Sequence, residues 1–426
     1  MSTTLPAPPV IAEQDARSAL GAPSHPAAPL KPARERLLSL DVFRGMTVAG
    51  MLLVNDPGTW GAIYPPLEHA EWHGWTPTDL IFPFFLFIVG ITTHLSMSVR
   101  RARGDDDGAL ARQILKRGAL IFLFGFLLSW FPFFQWDTVK GIADPTFLER
   151  VVYRVQHVRI MGVLQRIGLA YIICGLITLR TTLKQQVVIA TTMLFGYWIA
   201  MTAIPVPPHG VFGLHVLHIP GATLDAWLDR VILTPDHLWV GGGGLRDPEG
   251  LLSTIPAAVT AMLGVFAGRW IATARPLTDR LAGLFAGGAL AMVGGLVWNW
   301  VFPINKSLWT SSYTLFCAGM GCVALGVCMW IVDLHKRDRW TKPFVVYGVN
   351  PMLAFLGSGL VARLIYSIFK VNYQGQRISL EAAIYKSLFA SWLSPINASL
   401  AFALCFVFAF YLLLSAFYRR GIILKV

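Results

Sequence analysis

The stretch LDVFRGMTVAGMLLVNDPG at residues 40–58 decides the fold, together with EHAEWHGWTPTD at 68–79 and LIFPFFLFIVG at 80–90. Two apolar segments flank a short polar loop, as in two membrane-spanning helices joined by a hairpin. Polar and ionisable side chains are costly at a membrane boundary, so their presence there marks a candidate functional site. This cluster comprises Asn55, Asp56, Glu68, His69, Glu71, His73 and Asp79.

The whole chain has the composition of a membrane protein. Its 426 residues are 55% hydrophobic and only 14% charged, with a mean hydropathy of +0.58, whereas soluble domains are about 25% charged. Residues 1–36 are rich in Pro and Ala and lack an apolar core, which predicts a disordered tail rather than a signal peptide. Residues 37–426 are predicted to form an all-α, polytopic bundle of about ten transmembrane helices. The expected spans are roughly 38–55, 79–99, 113–134, 160–180, 186–205, 251–271, 281–301, 312–333, 343–369 and 396–418.

The formal net charge of +12 is not spread as in a nucleic-acid-binding protein. Basic residues collect in the loops after every second span and in both tails, which is the distribution that orients membrane proteins. This pattern predicts a multi-pass protein of the inner membrane with both termini in the cytoplasm. It places the loop at 56–78 on the opposite, non-cytoplasmic side and gives no reason to expect a nucleic-acid partner.

His69 is the candidate proton-transfer residue of this loop. With His73 it has the spacing of two metal ligands on one helical face, but the order His-Ala-Glu-Trp-His is not the HExxH arrangement of zinc enzymes. A second interpretation is an ordinary surface histidine. The neighbouring polar groups favour a third, in which His69 moves protons near neutral pH.

Asn55 and Asp79 border the loop, and each allows two interpretations. The Asn55 carboxamide can donate to an oxyanion or contact a substrate, or it can simply cap the first helix before Asp56-Pro57-Gly58. Asp79 can cap the second helix, or it can orient a histidine and stabilise its protonated form. The sequence does not decide between them.

Other polar residues lie inside or beside the predicted spans. Asp41 and Arg44 are three residues apart and can pair on one face of the first helix. Arg166, in GVLQRIG, falls inside the fourth span and calls for an anionic partner, which can be a carboxylate or a ligand phosphate.

Two further groups lie at span ends. Asn299, Asn305 and Lys306 cluster where the seventh span ends, in WNWVFPINKSLW. Asn350-Pro351 interrupts the start of the ninth span, where freed carbonyl groups can line a cavity.

An ordered set of motifs resembles the heparan-α-glucosaminide N-acetyltransferase family of transmembrane enzymes that use acetyl-CoA. The DxxRG pattern at residues 41–45 also occurs more widely among membrane acyltransferases, but the set as a whole is specific. The motifs are SLDVFRG, LLVN, HAEWHGWTPTDLIFPFFLFIVG, GVLQRIGLAY, DPEGLLSTIPAAVTAMLGVFAG, FPINKSLWTSSY and GVNPML, in that order from about residue 40 to 355.

This resemblance implies that acetyl-CoA is the co-substrate, with no metal, and that its pantetheine arm enters the bundle from the cytoplasm. The acetyl group is expected to reach an amino-sugar or other glycan acceptor on the non-cytoplasmic side. Carried over by motif, the catalytic residues are His69, Asn55 and Asp79. Members of the family are often dimers, so a homodimer embedded in membrane lipid is expected. The residues predicted to contact acetyl-CoA are Asp41, Arg44, Arg166, Asn299, Asn305, Lys306 and Asn350.

The sequence also departs from the family pattern. Lysosomal members carry a Gly-rich run after the asparagine, whereas this chain has Asp56-Pro57-Gly58-Thr59, and a histidine that follows their GVNP-like motif is Ser358 here. The first departure leaves the acceptor open, and the second favours His69 as the reacting histidine. A sugar or lipid-linked glycan transporter is the alternative function, since ten spans with broken helices suit it equally. A scaffold without catalysis is the third.

Overall fold

The computed structural model describes residues 37–136, 138–207 and 210–424. It confirms the all-α, polytopic class, because ten helices within these residues are long and apolar enough to cross a membrane. The tail predicted at 1–36 lies outside the described residues. The ten spans are Leu38–Asn55, Pro77–Arg103, Asp107–Trp130, Val163–Arg180, Leu183–Ala203, Thr254–Ile271, Leu277–Trp298, Ser311–Leu334, Pro351–Ile368 and Pro395–Arg419.

Fifteen α-helices can be numbered in chain order within the described residues. They are α1 Leu38–Asn55, α2 Ile81–Arg103, α3 Asp107–Trp130, α4 Phe147–Gln156, α5 Val163–Arg180, α6 Leu183–Ala203, α7 Gly213–Val216, α8 Leu224–Ile232, α9 Thr254–Ile271, α10 Leu277–Trp298, α11 Ser311–Cys328, α12 Lys342–Val349, α13 Pro351–Arg363, α14 Leu380–Ile384 and α15 Pro395–Arg419.

Short elements complete the connections. Two antiparallel hairpins pair β1 Pro205–Val206 with β2 Val211–Phe212, and β3 Lys370–Tyr373 with β4 Gln376–Ser379. The 3₁₀ turns are Pro65–Leu67, Pro77–Leu80, Pro235–His237 and Val240–Gly242, and π-helical turns follow α11, α13 and α14 at Met329–Leu334, Leu364–Ile368 and Tyr385–Phe389.

Glycines allow α2 and α9 to pack closely at the centre of the bundle. A Cβ at Gly90 would lie 1.8 Å from the carbonyl oxygen of Ala261, and a Cβ at Gly264 would lie 2.0 Å from that of Phe87. Helices in membranes associate through such small-residue contacts because lipid supplies no hydrophobic driving force between them. The close contact fixes the direction in which α2 leaves the polar loop.

The ninth span is shorter than predicted at its start. The sequence predicts a helix over 343–369, but the helix breaks at Asn350, and the spanning segment begins at Pro351. Pro351 has no backbone N–H to continue α12 and disfavours a helical residue before it. The separate helix α12 packs on α1 instead, where a Cβ at Gly348 would lie 2.1 Å from the Asp41 carbonyl oxygen.

Candidate functional site

Asp79 is fixed at the start of the second span by a capping box. Pro77 opens the 3₁₀ turn, and one carboxylate oxygen of Asp79, Oδ2, accepts hydrogen bonds from the backbone N–H groups of Thr76 and Ala70, both at 3.0 Å. The Tyr313 hydroxyl, from α11, donates to the backbone carbonyl of Asp79. The side chain is 1% exposed. These hydrogen bonds hold Asp79 in place independently of its contact with His69.

The other carboxylate oxygen, Oδ1, lies 2.7 Å from Nδ1 of His69. Because an ionised carboxylate only accepts hydrogen bonds, this contact puts a proton on Nδ1 and makes Nε2 the acceptor atom of the ring. Lys306 Nζ lies 3.0 Å from both ring nitrogens and 3.7 Å from Asp79 Oδ1. Burial lowers the pKa of the Lys306 ammonium, and the Asp79 carboxylate opposes that effect.

These three side chains lie on the wall of a cavity of about 500 Å³, which we call the first cavity. The His69 side chain is 46% exposed, as expected for a ring that faces an open space. The cavity is apolar where it follows the helices and polar where it meets the loops. Its lining comprises Thr47, Met51, Val54, Asn55, His69, Ala70, Glu71, Trp72, Thr78, Asp79, Ile81, Phe82, Phe85, Arg159, Val163, Ile167, Trp239, Arg246, Pro248, Glu249, Lys306, Ser307 and Phe355.

Asn55 is the last residue of α1, and its side chain reaches the same cavity. The residue is exposed, and within the described residues its carboxamide has no hydrogen-bond partner. Asp56, not Asn55, occupies the C-cap position. The amide is therefore available to a ligand in the first cavity.

A buried ion pair borders the cavity and was not recognised from the sequence. Arg159 Nε donates to Asp247 Oδ2 at 2.8 Å, and its Nη2 contacts Glu249. Burial alone lowers the pKa of Arg159, but the two carboxylates raise it above the ordinary value. The motif DPEG carries both acids, and its position just before a span was the available signal.

Arg246 forms a second cationic feature of the lining. Its guanidinium lies 4.9 Å from the ring of Trp72 and 5.6 Å from that of Trp239, within the range of cation–π attraction. Nη1 of Arg246 is buried and has no hydrogen-bond partner within the described residues. Trp72 is itself held by a hydrogen bond from its indole N–H to the Leu217 carbonyl, at 2.8 Å.

The first cavity is not lined by Asp41, Arg44 or Arg166, three of the predicted acetyl-CoA contacts. Asp41 and Arg44 pair at 2.6 Å as expected, but Asp41 is 14 residues before Asn55 on one helix, or about 21 Å at the ordinary rise. Arg166 lies in the first turn of α5, fully buried, and is absent from the lining of the first cavity. It donates to the Gly250 carbonyl at 3.2 Å and to the Ser253 hydroxyl.

The predicted asparagines mainly hold the backbone. Asn299 Oδ1 accepts from the Ile304 N–H at 2.7 Å, and Asn305 Oδ1 accepts from the Leu308 N–H at 2.9 Å. These bonds shape the loop that delivers Lys306 to His69. Asn350 is buried against the C-terminal segment, where it bonds to the backbone of Ile422 and Leu424.

His73 does not share a site with His69, because the segment between them is not helical. Its Nε2 lies 2.9 Å from Nδ1 of His218, and burial together with His218 lowers the pKa of His73. Within the described residues, no three His, Cys, Asp or Glu side chains are grouped as a metal site requires.

Comparison with known proteins agrees with the motifs. A sequence family described as "Heparan-alpha-glucosaminide N-acetyltransferase, catalytic" matches residues 36–241. The heparan-alpha-glucosaminide N-acetyltransferase of Homo sapiens is 29% identical over 371 residues, which is 76% of this chain and 52% of the human protein. That of Mus musculus is 28% identical over 399 residues, covering 80% and 57%. The chain thus spans about half the length of the curated relatives it matches. This chain is therefore similar to heparan-α-glucosaminide N-acetyltransferases, both through the family's catalytic region at residues 36–241 and through the curated proteins over most of its own length.

Proposed function

We propose that this chain transfers the acetyl group of cytoplasmic acetyl-CoA to an amino-sugar or other glycan acceptor on the non-cytoplasmic side of an inner membrane. Both termini then lie in the cytoplasm. The observation that carries the proposal is the contact of His69 with both Asp79 and Lys306 on the wall of a cavity that Asn55 also lines. A proton acceptor, an amide donor and a cation thus face one space.

The shape of the first cavity suits a long and narrow acetyl donor. It reaches from Asn55 to Thr47 along α1, eight residues or about 12 Å, which is nearly half the length of that helix. Its walls there are apolar, with Met51, Phe85 and Phe355. A pantetheine arm is long, narrow and largely uncharged, and it suits such a passage.

His69 acts as the general base in this proposal. Asp79 holds the proton on Nδ1, so Nε2 takes the proton that the attacking amine loses, and the same carboxylate stabilises the resulting imidazolium. The imidazolium then protonates the departing thiolate. Asn55 donates to the thioester oxygen as it becomes negative, an interaction worth about 3–4 kcal/mol in comparable sites.

We favour direct transfer over a two-step route through acetylated His69. Intact-mass analysis of the purified protein, incubated with acetyl-CoA and no acceptor, is expected to show no added acetyl group. A stoichiometric mass increase that disappears in His69→Ala would establish the covalent route instead.

The central experiment follows thiol release by purified protein supplied with acetyl-CoA and glucosamine. His69→Ala should abolish the release while acetyl-CoA still binds, and Asn55→Ala should reduce it by about 10²–10³-fold. His215→Ala is the matched control, because His215 is an exposed histidine of α7 that lines neither this cavity nor its neighbours. Unchanged turnover in His69→Ala would reject the assignment.

The ligand that the protein binds distinguishes the transporter or flippase hypothesis from the enzyme hypothesis. It needs no acetyl-CoA site, so saturable acetyl-CoA binding with acceptor-dependent thiol release supports the enzyme. Uptake of a glycan into proteoliposomes without thiol release would support the transporter. The homodimer remains a prediction from the family, which the mass of the detergent-solubilised protein tests.

A further inference from the structure

A second cavity of about 270 Å³ adjoins the first at the end of α1. The two share Asn55, Met51, Arg159, Val163 and Phe355, so Asn55 faces both spaces. Elements from α1, α3, α5 and α13 enclose it. The remaining lining residues are Leu52, Asp56, Gly125, Leu128, Ser129, Gly162, Leu164, Gln165, Ser358, Gly359, Ala362 and Arg363.

Asp56 is the acidic residue of this lining. It is 5% exposed, and within the described residues its carboxylate has no hydrogen bond or ion pair. A buried, unpaired carboxylate is costly. Its position at the C-terminus of α1, where the helix carbonyl groups carry partial negative charge, adds to that cost. The described residues thus leave this acid without a partner on the wall of the second cavity.

The charged and titratable groups around Asp56 are already engaged elsewhere. Arg159 is bound by Asp247 and Glu249, and Arg363 from α13 donates to the Gly359 carbonyl at 3.0 Å. The Tyr366 hydroxyl donates to the Pro57 carbonyl at 2.8 Å.

The lining residues from α3 are Gly125, Leu128 and Ser129, and those from α5 include Gln165 but no ionisable side chain. Burial accordingly raises the pKa of Asp56 to about 7.

A third cavity of about 240 Å³ lies beside the second cavity, toward the loop after α3. It shares Arg363 with the second cavity and is lined by loop residues between Phe131 and Trp136. The three spaces therefore follow one another from that loop, past Asp56, to Asn55 and the first cavity. An acceptor that enters through the third cavity would meet Asp56 before it meets the thioester.

We propose that the second cavity binds the primary amine of the acceptor, and that the Asp56 carboxylate pairs with its ammonium group and accepts the proton that this group releases. The proposal rests on the acetyltransferase function proposed above. The cavity lies just below the size range of about 300–1,000 Å³ usual for drug-sized ligands. It therefore suits a single sugar unit or a small amine rather than a long chain.

The proton balance assigns Asp56 a task distinct from that of His69. An ammonium has no lone pair, so one proton must move to Asp56 before attack. The neutral nitrogen then bonds to the thioester carbonyl carbon, and the carbon–sulfur bond breaks with its electron pair on sulfur. The second proton leaves the nitrogen for His69 and passes to the thiolate. The products are an acetamide, a free thiol and the proton held by Asp56, which returns to solvent.

The test compares glucosamine with hydroxylamine, whose nitrogen is already neutral at neutral pH. In Asp56→Asn the KM for glucosamine should rise about 10–100-fold, the usual loss for a charged hydrogen bond. The KM for acetyl-CoA and the rate with hydroxylamine should stay as in the unmodified protein. The KM of the unmodified protein for glucosamine should rise as the pH falls below about 7, because Asp56 becomes protonated. That dependence should vanish in Asp56→Asn.

A second variant tests the cavity without touching the acid. Ala362→Phe fills the second cavity and should also raise the KM for glucosamine, whereas Ala409→Phe, at an exposed alanine of α15, should not. An unmodified protein that acetylates glucosamine while Asp56→Asn keeps the same KM would overturn this inference alone. An unmodified protein that acetylates no amine at all would overturn the proposed function.

Discussion

The two oxygens of the Asp79 carboxylate contact different parts of the site: Oδ1 lies 2.7 Å from Nδ1 of His69, and Oδ2 caps the turn that begins the second span. The sequence left capping and histidine orientation as alternatives for this residue. In the structure both occur at once, because a carboxylate offers two acceptor atoms. The cap thereby holds in place the oxygen that contacts the histidine.

Asp79→Asn should separate these two roles. The amide keeps the size of the side chain but no longer forces the proton onto Nδ1, nor does it stabilise an imidazolium. We expect the turnover number to fall by about 10²–10⁴-fold, with little change in acetyl-CoA affinity. Steady-state thiol release and equilibrium binding of acetyl-CoA measure the two effects.

Thr76→Ala is the control for the cap. It removes a hydroxyl that lies 3.2 Å from Asp79 Oδ2 and 2.6 Å from the Glu68 carbonyl oxygen, and it keeps both side chains of the Asp79–His69 contact. It should lower the unfolding temperature, with a loss of about 1 kcal/mol, and leave the turnover number nearly unchanged. Equal losses of turnover in the two variants would show that Asp79 is only a cap.

Lys306→Met should reduce turnover by about 10–100-fold, because it removes a cation beside His69 where negative charge develops on the thioester. Burial lowers the pKa of Lys306 below its ordinary value of 10.5. The side chain is therefore positively charged at low pH, and as the pH rises it loses its proton before the pH reaches 10.5. The turnover of the unmodified protein should therefore decline at an alkaline pH below 10.5. That decline should be missing in Lys306→Arg, whose side chain stays charged. The same alkaline profile in both proteins would show that Lys306 is not the titrating group.

The sequence revealed the part of the site that is local in the chain. Asn55, His69 and Asp79 lie within 25 residues, between two strongly apolar segments, so the helix ends alone bring them near one another. Lys306 is 237 positions from His69. Its cluster with Asn299 and Asn305 was visible, but only the folded loop shows that the two asparagines hold the backbone and that the lysine reaches the histidine.

Burial could not be predicted from the sequence at the other positions. Asp56 precedes Pro57-Gly58, as is typical of a turn residue. Nothing in the local sequence indicates that its carboxylate is enclosed. Arg166 was expected to need an anion. A carbonyl, a hydroxyl and the face of Trp309 at 5.2 Å contact its guanidinium, while Nε and Nη1 have no hydrogen-bond partner within the described residues. Five N–H donors can be engaged in many ways, so a buried arginine does not identify its partner.

Arg166→Met therefore tests whether Arg166 stabilises the fold or binds acetyl-CoA. It keeps the bulk of the side chain but removes bonds that tie α5 to the segment before α9, and we expect a lower unfolding temperature and poorer expression. The folded fraction should bind acetyl-CoA with unchanged Kd, because Arg166 lines neither the first nor the second cavity. Arg180→Met, at the exposed end of the same helix, should change neither property. A Kd that rises tenfold in Arg166→Met would support the predicted contact of Arg166 with the CoA phosphates.

Asp56→Asn should stabilise the protein in a pH-dependent manner. Because the folded-state pKa of about 7 exceeds the ordinary 3.8, the folded form holds its proton more tightly than the unfolded chain does. The folded protein is therefore favoured below pH 4, and this advantage is lost as the pH rises through 7. At pH 8 the ionised carboxylate costs on the order of 4 kcal/mol. Thermal unfolding in detergent should show Asp56→Asn melting well above the unmodified protein at pH 8 and close to it at pH 4. A constant difference across this range would mean that the Asp56 carboxyl does not titrate there.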